Sequence, residues 1–145
     1  MTDINTPSRP KWFLVISILA LIWNMLGLMA FISHIMMTPE MLAKLPEAEQ
    51  ELYAHTPLWA DSAFAIAVFA AVLGSILLLW KKAIANSFFV LSLIAILVQD
   101  YYAFFVIDSI SVLGLSSITM PSIVLTIAIL LILLTSKAEQ KHWLH

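Results

Sequence analysis

The sequence contains no cysteine, and only 11% of its 145 residues are charged, whereas an ordinary soluble domain has about 25%. Without cysteine the chain has no disulfides, no thiolate metal sites and no thiol catalysis. Its seven lysine and arginine residues stand singly or as one pair, so they form no basic patch for nucleic acid. We therefore expect no nucleic-acid partner.

Several patterns typical of catalysis and cofactor binding are also missing. The histidines are not paired across two spans, as a haem site would require. No serine or carboxylate catalytic motif occurs, and no spacing of His, Asp and Glu matches a metal site. The sequence thus predicts neither an enzyme nor a bound metal or cofactor.

Hydrophobic residues make up 62% of the chain, and they cluster in runs near or above the 18 residues expected of a membrane helix. Lys81 and Lys82 interrupt the apolar middle of the chain. Placing a lysine at the middle of the membrane would cost about 2.5–3.5 kcal/mol, so the apolar runs on either side must end at this pair. The chain is therefore predicted to be an all-α membrane protein, a single domain over residues 1–145 forming an antiparallel four-transmembrane-helix bundle. The predicted spans cover residues 12–37, 58–80, 83–107 and 120–135.

The segment between the first two spans, residues 38–57, carries three helix-start signals in which proline precedes or opens a turn. They predict a short amphipathic helical loop on the outer side of the membrane. We expect its apolar residues to face lipid or the bundle: Met41, Leu42, Leu45, Leu52 and Tyr53.

Two further predictions concern the fourth span. Ser117 and Thr119 are candidate caps at its start, and Pro121 fits its first turn. Residues 136–145 read as a polar tail in which Trp143 lies at the interface and His142 and His145 have no specific role.

The distribution of basic residues predicts the orientation. One side carries a single lysine, Lys44, among many carboxylates, and the other carries all the remaining basic residues. Both termini and the turn between spans two and three are therefore predicted to face the cytoplasm. The residues on that side are Arg9, Lys11, Lys81, Lys82, Lys137 and Lys141.

Small and weakly polar residues recur at three- or four-residue spacing along the first three spans. Such stripes let membrane helices approach closely and hydrogen-bond across the contact. Asn24 falls near mid-depth, and its default interpretation is an interhelical hydrogen bond; the alternative is a contact to substrate or ion. The predicted packing residues are Ser17, Ala20, Gly27, Ala67, Ala71, Gly74, Ser92 and Ala95.

The polar residues near the outer boundary have two interpretations. Asp61 and Asp100 would by default be solvated helix-end charges, and His34 would be a polar end of the first span. Gln99 has the same two interpretations as Asn24, an interhelical hydrogen bond by default or a contact to substrate or ion. Alternatively the carboxylates approach each other in a cavity with His34 and create a proton site. A divalent metal site that adds His55 has no support from ligand spacing.

Three stretches carry a resemblance to known proteins: PEAEQELY at 46–53, TPLWA at 56–60 and AFAIAVF at 63–69. With them the chain resembles a largely uncharacterised group of small four-span bacterial inner-membrane proteins, sometimes loosely labelled sugar transporters. The resemblance implies a four-span fold and location in the bacterial inner membrane over nearly the whole chain. It implies no functional residues.

Three functions remain open at this point. The first is an interaction or accessory protein, with the lipid bilayer around it, that acts as a homo-oligomer or within a larger membrane complex. The second is a transporter or channel for a small solute, a sugar among the candidates, formed by a homo-oligomer. The third, a membrane enzyme or quinone-linked subunit, rests only on Tyr101, Tyr102 and the two outer histidines.

Overall fold

Helices account for all the regular structure in residues 7–145, the part of the chain that the computed structural model describes. Four helical stretches are long and apolar enough to cross a membrane, which confirms the all-α class with four candidate spans. Residues 1–6 of the predicted N-terminal tail lie outside the described part. The long helices are α1 (Lys11–Ile35), α4 (Leu58–Leu79), α5 (Ala85–Tyr101), which continues as a π-helical turn (Tyr102–Val106), and α7 (Thr119–Gln140).

Short helices fill two of the connections. The first connection holds α2 (Pro39–Leu42) and α3 (Glu47–His55), and the last holds α6 (Ser109–Leu113) with a 3-10 turn (Leu115–Ile118). Thr38 caps α2 as its sequence predicts, because its side chain accepts a hydrogen bond from the Met41 N–H. Thr56 does not cap α4: its hydroxyl donates to the Leu52 carbonyl at 2.7 Å instead.

The long helices pack in the order α1, α4, α5, α7. The Arg9 guanidinium donates to the Leu79 carbonyl at 3.0 Å, and His34 meets Asp61 at 2.8 Å. The start of α1 therefore lies beside the end of α4 and the end of α1 beside the start of α4, so the two helices run in opposite directions. Ser92 joins α5 to α4 by donating to a carbonyl, 2.7 Å away.

We name the two ends of this helix assembly after the charge of their side chains. The basic end holds the start of α1, the turn between α4 and α5 and the end of α7, and carries Arg9, Lys11, Lys81, Lys82, Lys137 and Lys141. The acidic end holds α2, α3 and α6, and carries Glu40, Glu47, Glu49, Glu51, Asp61, Asp100 and Asp108, with Lys44 among them.

The small-residue stripes lie at the contacts between helices. Gly27 and Ala71 are partly buried, and the other predicted packing residues are buried: Ser17, Ala20, Ala67, Gly74, Ser92 and Ala95. Their small side chains bring the neighbouring backbones close, which allows van der Waals contact where lipid gives no hydrophobic drive for association.

The prediction of a polar tail from residue 136 is wrong for its first five residues, which belong to α7. The side chains of Thr135 and Ala138 are fully buried, and that of Leu144 is 6% exposed. Ala138 and Leu144 join a core cluster with Phe13 and Leu78, so residues 138–144 pack against the other elements of the basic end and do not extend into solvent.

The predicted caps of α7 are also wrong. Neither Ser117 nor Thr119 caps the helix: the Ser117 hydroxyl donates to the Gly114 carbonyl, and Thr119 is the first helical residue. The 3-10 turn runs directly into α7, so no separate capping residue is required. Pro121 lies in the first turn, where its missing N–H has no helical partner to lose.

Candidate functional site

A hydrogen-bond network joins α1 and α4 in the middle of the membrane-length region. Asn24 is 8% exposed and its amide donates to the Ser75 hydroxyl at 2.7 Å and to the Ala71 carbonyl at 3.3 Å. Ser75 donates in turn to the same carbonyl at 2.9 Å. Both amide hydrogens of Asn24 are therefore used between the helices, which is the default interpretation of this residue.

Three further buried hydroxyls within the long helices are also occupied within the protein. Ser92 donates to the Ala67 carbonyl across the contact of α5 with α4. Ser17 and Thr135 donate to carbonyls one turn earlier in their own helices, each at 2.7 Å. The hydrogen atoms of these groups are therefore already used in bonds within the protein and are not available to a solute.

A different kind of site lies at the acidic end, where α1 ends and α4 begins. His34 Nε2 is 2.8 Å from Asp61 Oδ1, and the two side chains are 21% and 35% exposed. The His34 ring also packs against Tyr53 of α3, with 4.9 Å between ring centroids, and lies 5.8 Å from the Phe64 ring. Three elements thus fix the position of one imidazole.

The local fold explains the choice of these two residue types. Asp61 lies in the first turn of α4 and His34 in the last turn of α1. A helix N-terminus favours negative charge and a C-terminus favours positive charge. Because α1 and α4 run in opposite directions, these two ends lie side by side and each helix end suits the group it carries.

A pocket of about 290 Å³ opens beside this pair. Tyr53 and Thr56 line it from the α3 side, where the Tyr102 hydroxyl also donates to the His55 carbonyl at 3.3 Å. Segment α2–α3 is thus held against both α1 and the π-helical turn while leaving a space beneath it. The lining residues are His34, Ile35, Met37, Leu42, Tyr53, Thr56 and Asp61.

The structure brings together only part of the predicted polar set. Gln99 and Asp100 lie half-buried near the end of α5 and do not line the pocket of His34 and Asp61. Asn24 lies on the same helix as His34 but almost three turns away from it. Within residues 7–145 no three His, Asp or Glu side chains come together in a way that could hold a metal ion.

Sequence reasoning missed two features of this end. Tyr53 was expected on an apolar face, and its packing on the His34 ring has no local sequence signal because the partners lie on different helices. The second missed feature is an apolar groove of about 690 Å³ between α4 and α5. No sequence signal marks it, because the residues that line it are ordinary apolar residues of membrane helices, among them Trp59, Ile66, Leu91 and Val98.

No family model, no curated protein and no solved structure matches this chain. The resemblance to small four-span bacterial inner-membrane proteins therefore stays a prediction. What the chain does has to be inferred from its own helices, their buried polar groups and the surfaces they leave uncovered.

Proposed function

We propose that this protein is a small polytopic membrane protein that acts through contacts with other membrane-embedded chains, as a homo-oligomer or as an accessory part of a larger complex. One observation carries the proposal: the buried polar groups at mid-depth bond to neighbouring backbone or side chains, while α7 stays largely uncovered. Only 11% of its most apolar 18-residue window is buried, against 50% in α4.

The uncovered face of α7 differs from that of α1. On α1, Ser17, Ala20 and Gly27 lie in the contact with α4, and the exposed small residues Ala30 and Ser33 are confined to its last two turns. Ser122 and Thr126 of α7 are exposed among large apolar side chains in the first half of the helix. Their hydroxyls and small size are the features that allow a second membrane helix to approach closely. We therefore assign the partner contact to the face of α7 that holds Ser122, Thr126 and Leu130.

The absence of cysteine makes this contact directly testable. Leu130 on α7 and Leu19 on α1 are equally exposed, each at 57%, so Leu130→Cys and Leu19→Cys form a matched pair. Oxidative cross-linking in native membranes should give a covalent homodimer, or a defined adduct with a thiol-bearing neighbour, from the α7 position only. Native mass spectrometry of the gently extracted wild-type protein should show the corresponding assembly.

Two outcomes would contradict the proposal. A bare monomer in native mass spectrometry, with no cross-link from any exposed α7 position, would remove the basis for an interaction protein. Equal cross-linking from Leu19 and Leu130 would indicate random collision in the membrane and not a specific face. Thr126→Trp should lower the cross-linking yield of the Leu130→Cys variant if the helices approach closely at that point.

We also propose that the basic end faces the cytoplasm of a bacterial cell and that the acidic end lies outside the inner membrane. The support is the six-to-one distribution of basic residues between the two ends. A membrane-impermeant maleimide added to intact spheroplasts should label Glu51→Cys but not Lys82→Cys. The reverse pattern would overturn the orientation.

A small-solute transporter or channel formed by a homo-oligomer is the second candidate, supported by the pocket that opens at the acidic end. In that case, liposome flux of the transported solute should fall in Asp61→Asn. It should change little in Asn24→Leu, because the Asn24 amide is used between helices. Flux that depends on neither residue would leave this candidate without a site.

A further inference from the structure

Asp61 offers a carboxylate oxygen to the pocket at the acidic end. Its Oδ1 is bonded to His34 Nε2, and since a carboxylate only accepts hydrogen bonds, His34 is the donor. Oδ2 has no hydrogen-bond partner in residues 7–145. Asp61 lies in the first turn of α4, where the positive end of the helix dipole stabilises a negative charge. The pocket therefore has one accepting carboxylate oxygen that no group in residues 7–145 occupies.

The charge around the pocket has the same sign. Residues 38–61 include five acidic side chains and one lysine, which gives a net charge of −4 with neutral histidine. A pocket in such a surface attracts cations and repels anions. An anionic ligand such as a phosphate or a carboxylate is therefore disfavoured at this site.

The walls of the pocket narrow the class of cation. Ile35, Met37 and Leu42 provide apolar surface, and the Tyr53 ring is an aromatic surface of the kind that attracts organic cations. A divalent metal ion would find only His34 and Asp61 as ligands. The volume of about 290 Å³ is at the lower end of ligand pockets, which suits a small group.

We propose that this pocket binds an alkylammonium group, with Asp61 Oδ2 facing the cationic nitrogen and the apolar wall facing its carbon substituents. The pocket lies where α1 ends and α4 begins, at the depth of lipid headgroups if these helices span a membrane. The ammonium can therefore belong to a free small amine or to the headgroup of an aminophospholipid. This site is distinct from the α7 face, and neither proposal depends on the other.

The test uses the full chain purified in an uncharged, nitrogen-free detergent. Choline is compared with 3,3-dimethylbutan-1-ol, which has the same shape but carries carbon in place of the charged nitrogen. Binding is measured by saturation-transfer NMR and calorimetry for the wild type, Asp61→Asn and Tyr53→Leu. Glu51→Gln is the control, because it removes one charge from the same segment at an exposed position outside the pocket.

We expect choline to bind the wild type and Glu51→Gln alike, and to bind Asp61→Asn about tenfold more weakly. The neutral analogue should not compete. Equal binding of choline and its analogue to the wild type would overturn the proposal without reference to any variant, so it remains testable even if Asp61→Asn fails to fold. Unchanged choline binding in a folded Asp61→Asn would also overturn it.

Lipid nanodiscs distinguish the two sources of the ammonium group. If the natural occupant is a lipid headgroup, nanodiscs of phosphatidylethanolamine should suppress choline binding, whereas nanodiscs of phosphatidylglycerol should not. If the occupant is a free amine, choline should bind equally in both. Absence of choline binding in phosphatidylglycerol nanodiscs as well as in detergent would contradict the proposal.

Discussion

Replacing Gly74 by alanine tests how tightly α4 packs against α5. A Cβ atom at this position would lie 3.0 Å from both Cδ1 and Cε1 of Phe89 and 3.2 Å from its Cζ. Phe89 is 2% exposed and belongs to the core cluster at the basic end. Its ring must therefore shift by a few tenths of an ångström into neighbours that are themselves packed.

The expected cost follows from two opposing terms. Adding a methyl group to a packed core typically costs about 1–3 kcal/mol, and a ring that can shift slightly places this site in the lower half of that range. Alanine is a better helix former than glycine by about 0.5–1 kcal/mol. We therefore expect Gly74→Ala to lower the free energy of unfolding by about 1 kcal/mol.

Gly27 on α1 provides a matched control. A Cβ there would meet only Val68 Cγ1, at 3.8 Å, which is ordinary van der Waals contact. Gly27→Ala should therefore be neutral or stabilising by up to about 1 kcal/mol. Reversible unfolding from a mild detergent into dodecyl sulfate, followed by circular dichroism, should separate the two variants by about 1–2 kcal/mol.

The reasoning would be refuted if Gly74→Ala were as stable as Gly27→Ala. A second measurement tests the cause of the effect. Shortening the opposing side chain in the double variant Gly74→Ala, Phe89→Leu should make the cost of the added methyl group disappear, when that cost is measured relative to Phe89→Leu alone. A persistent cost in that background would show that Phe89 is not the neighbour that resists the alanine.

Three further changes test the buried bonds and the end of the chain. Asn24→Ala should lower the free energy of unfolding by about 0.6–2 kcal/mol. A double-mutant cycle with Ser75→Ala should show coupling between the two residues, and additive losses of stability would contradict the hydrogen bond between them. His142→Gly should raise the free energy of unfolding by about 1 kcal/mol, because His142 has a left-handed backbone conformation with φ 55° that glycine adopts without strain. His142→Ala should not raise it, and thermal unfolding in detergent compares the stability of the two variants. Leu144→Ala should lower the free energy of unfolding by about 2 kcal/mol and make the C-terminus sensitive to carboxypeptidase. If the variant resists carboxypeptidase as well as the wild type does, Leu144 does not hold the C-terminus in place.

The four apolar helices and the contact faces of the first three could be read from the sequence. Hydropathy depends on composition over about 18 residues, and that signal does not depend on any tertiary contact. The stripes of Ser17, Ala20 and Asn24 on α1, and of Ala67 and Gly74 on α4, indicated the contact faces because small residues at helical spacing serve little purpose toward lipid.

The end of α7 could not be read in the same way, whereas α4 ends at Leu79, one residue before its predicted bound. The Lys82 N–H bonds to the Leu77 carbonyl and the Trp143 N–H to that of Ala138, which is the Schellman pattern that normally places glycine in the left-handed position. Here Lys81 and His142 occupy it, with φ of 59° and 55°. Without glycine the local signal for the end of α7 was missing.

Contacts between these two turns explain why the chain accepts that strain. The His145 N–H donates to the Lys81 carbonyl at 2.8 Å, and the His145 carbonyl accepts from the Ala83 N–H at 3.1 Å. Trp143 packs edge-on against the Phe13 ring, with centroids 5.4 Å apart. The left-handed residues are thus stabilised by partners that are far away in sequence, which a local pattern cannot reveal.

The pairing of His34 with Asp61 shows what one tertiary contact adds to the sequence pattern. Asn24 bonds to the Ala71 carbonyl, and moving ten residues forward on α1 and ten back on α4 leads to His34 and Asp61. Equal steps of seven lead to the packed rings of Phe31 and Phe64.

One antiparallel register therefore satisfies the polar group at mid-depth and the polar pair at the acidic end together. A slip of one turn would set His34 opposite Pro57 or Ala65 and leave Asp61 without its imidazole. Apolar faces alone tolerate such a slip, because one large side chain replaces another in the contact. We infer that Asn24 and the His34–Asp61 pair each favour this register of α1 on α4, and that the pair maintains the shape of the pocket at the acidic end.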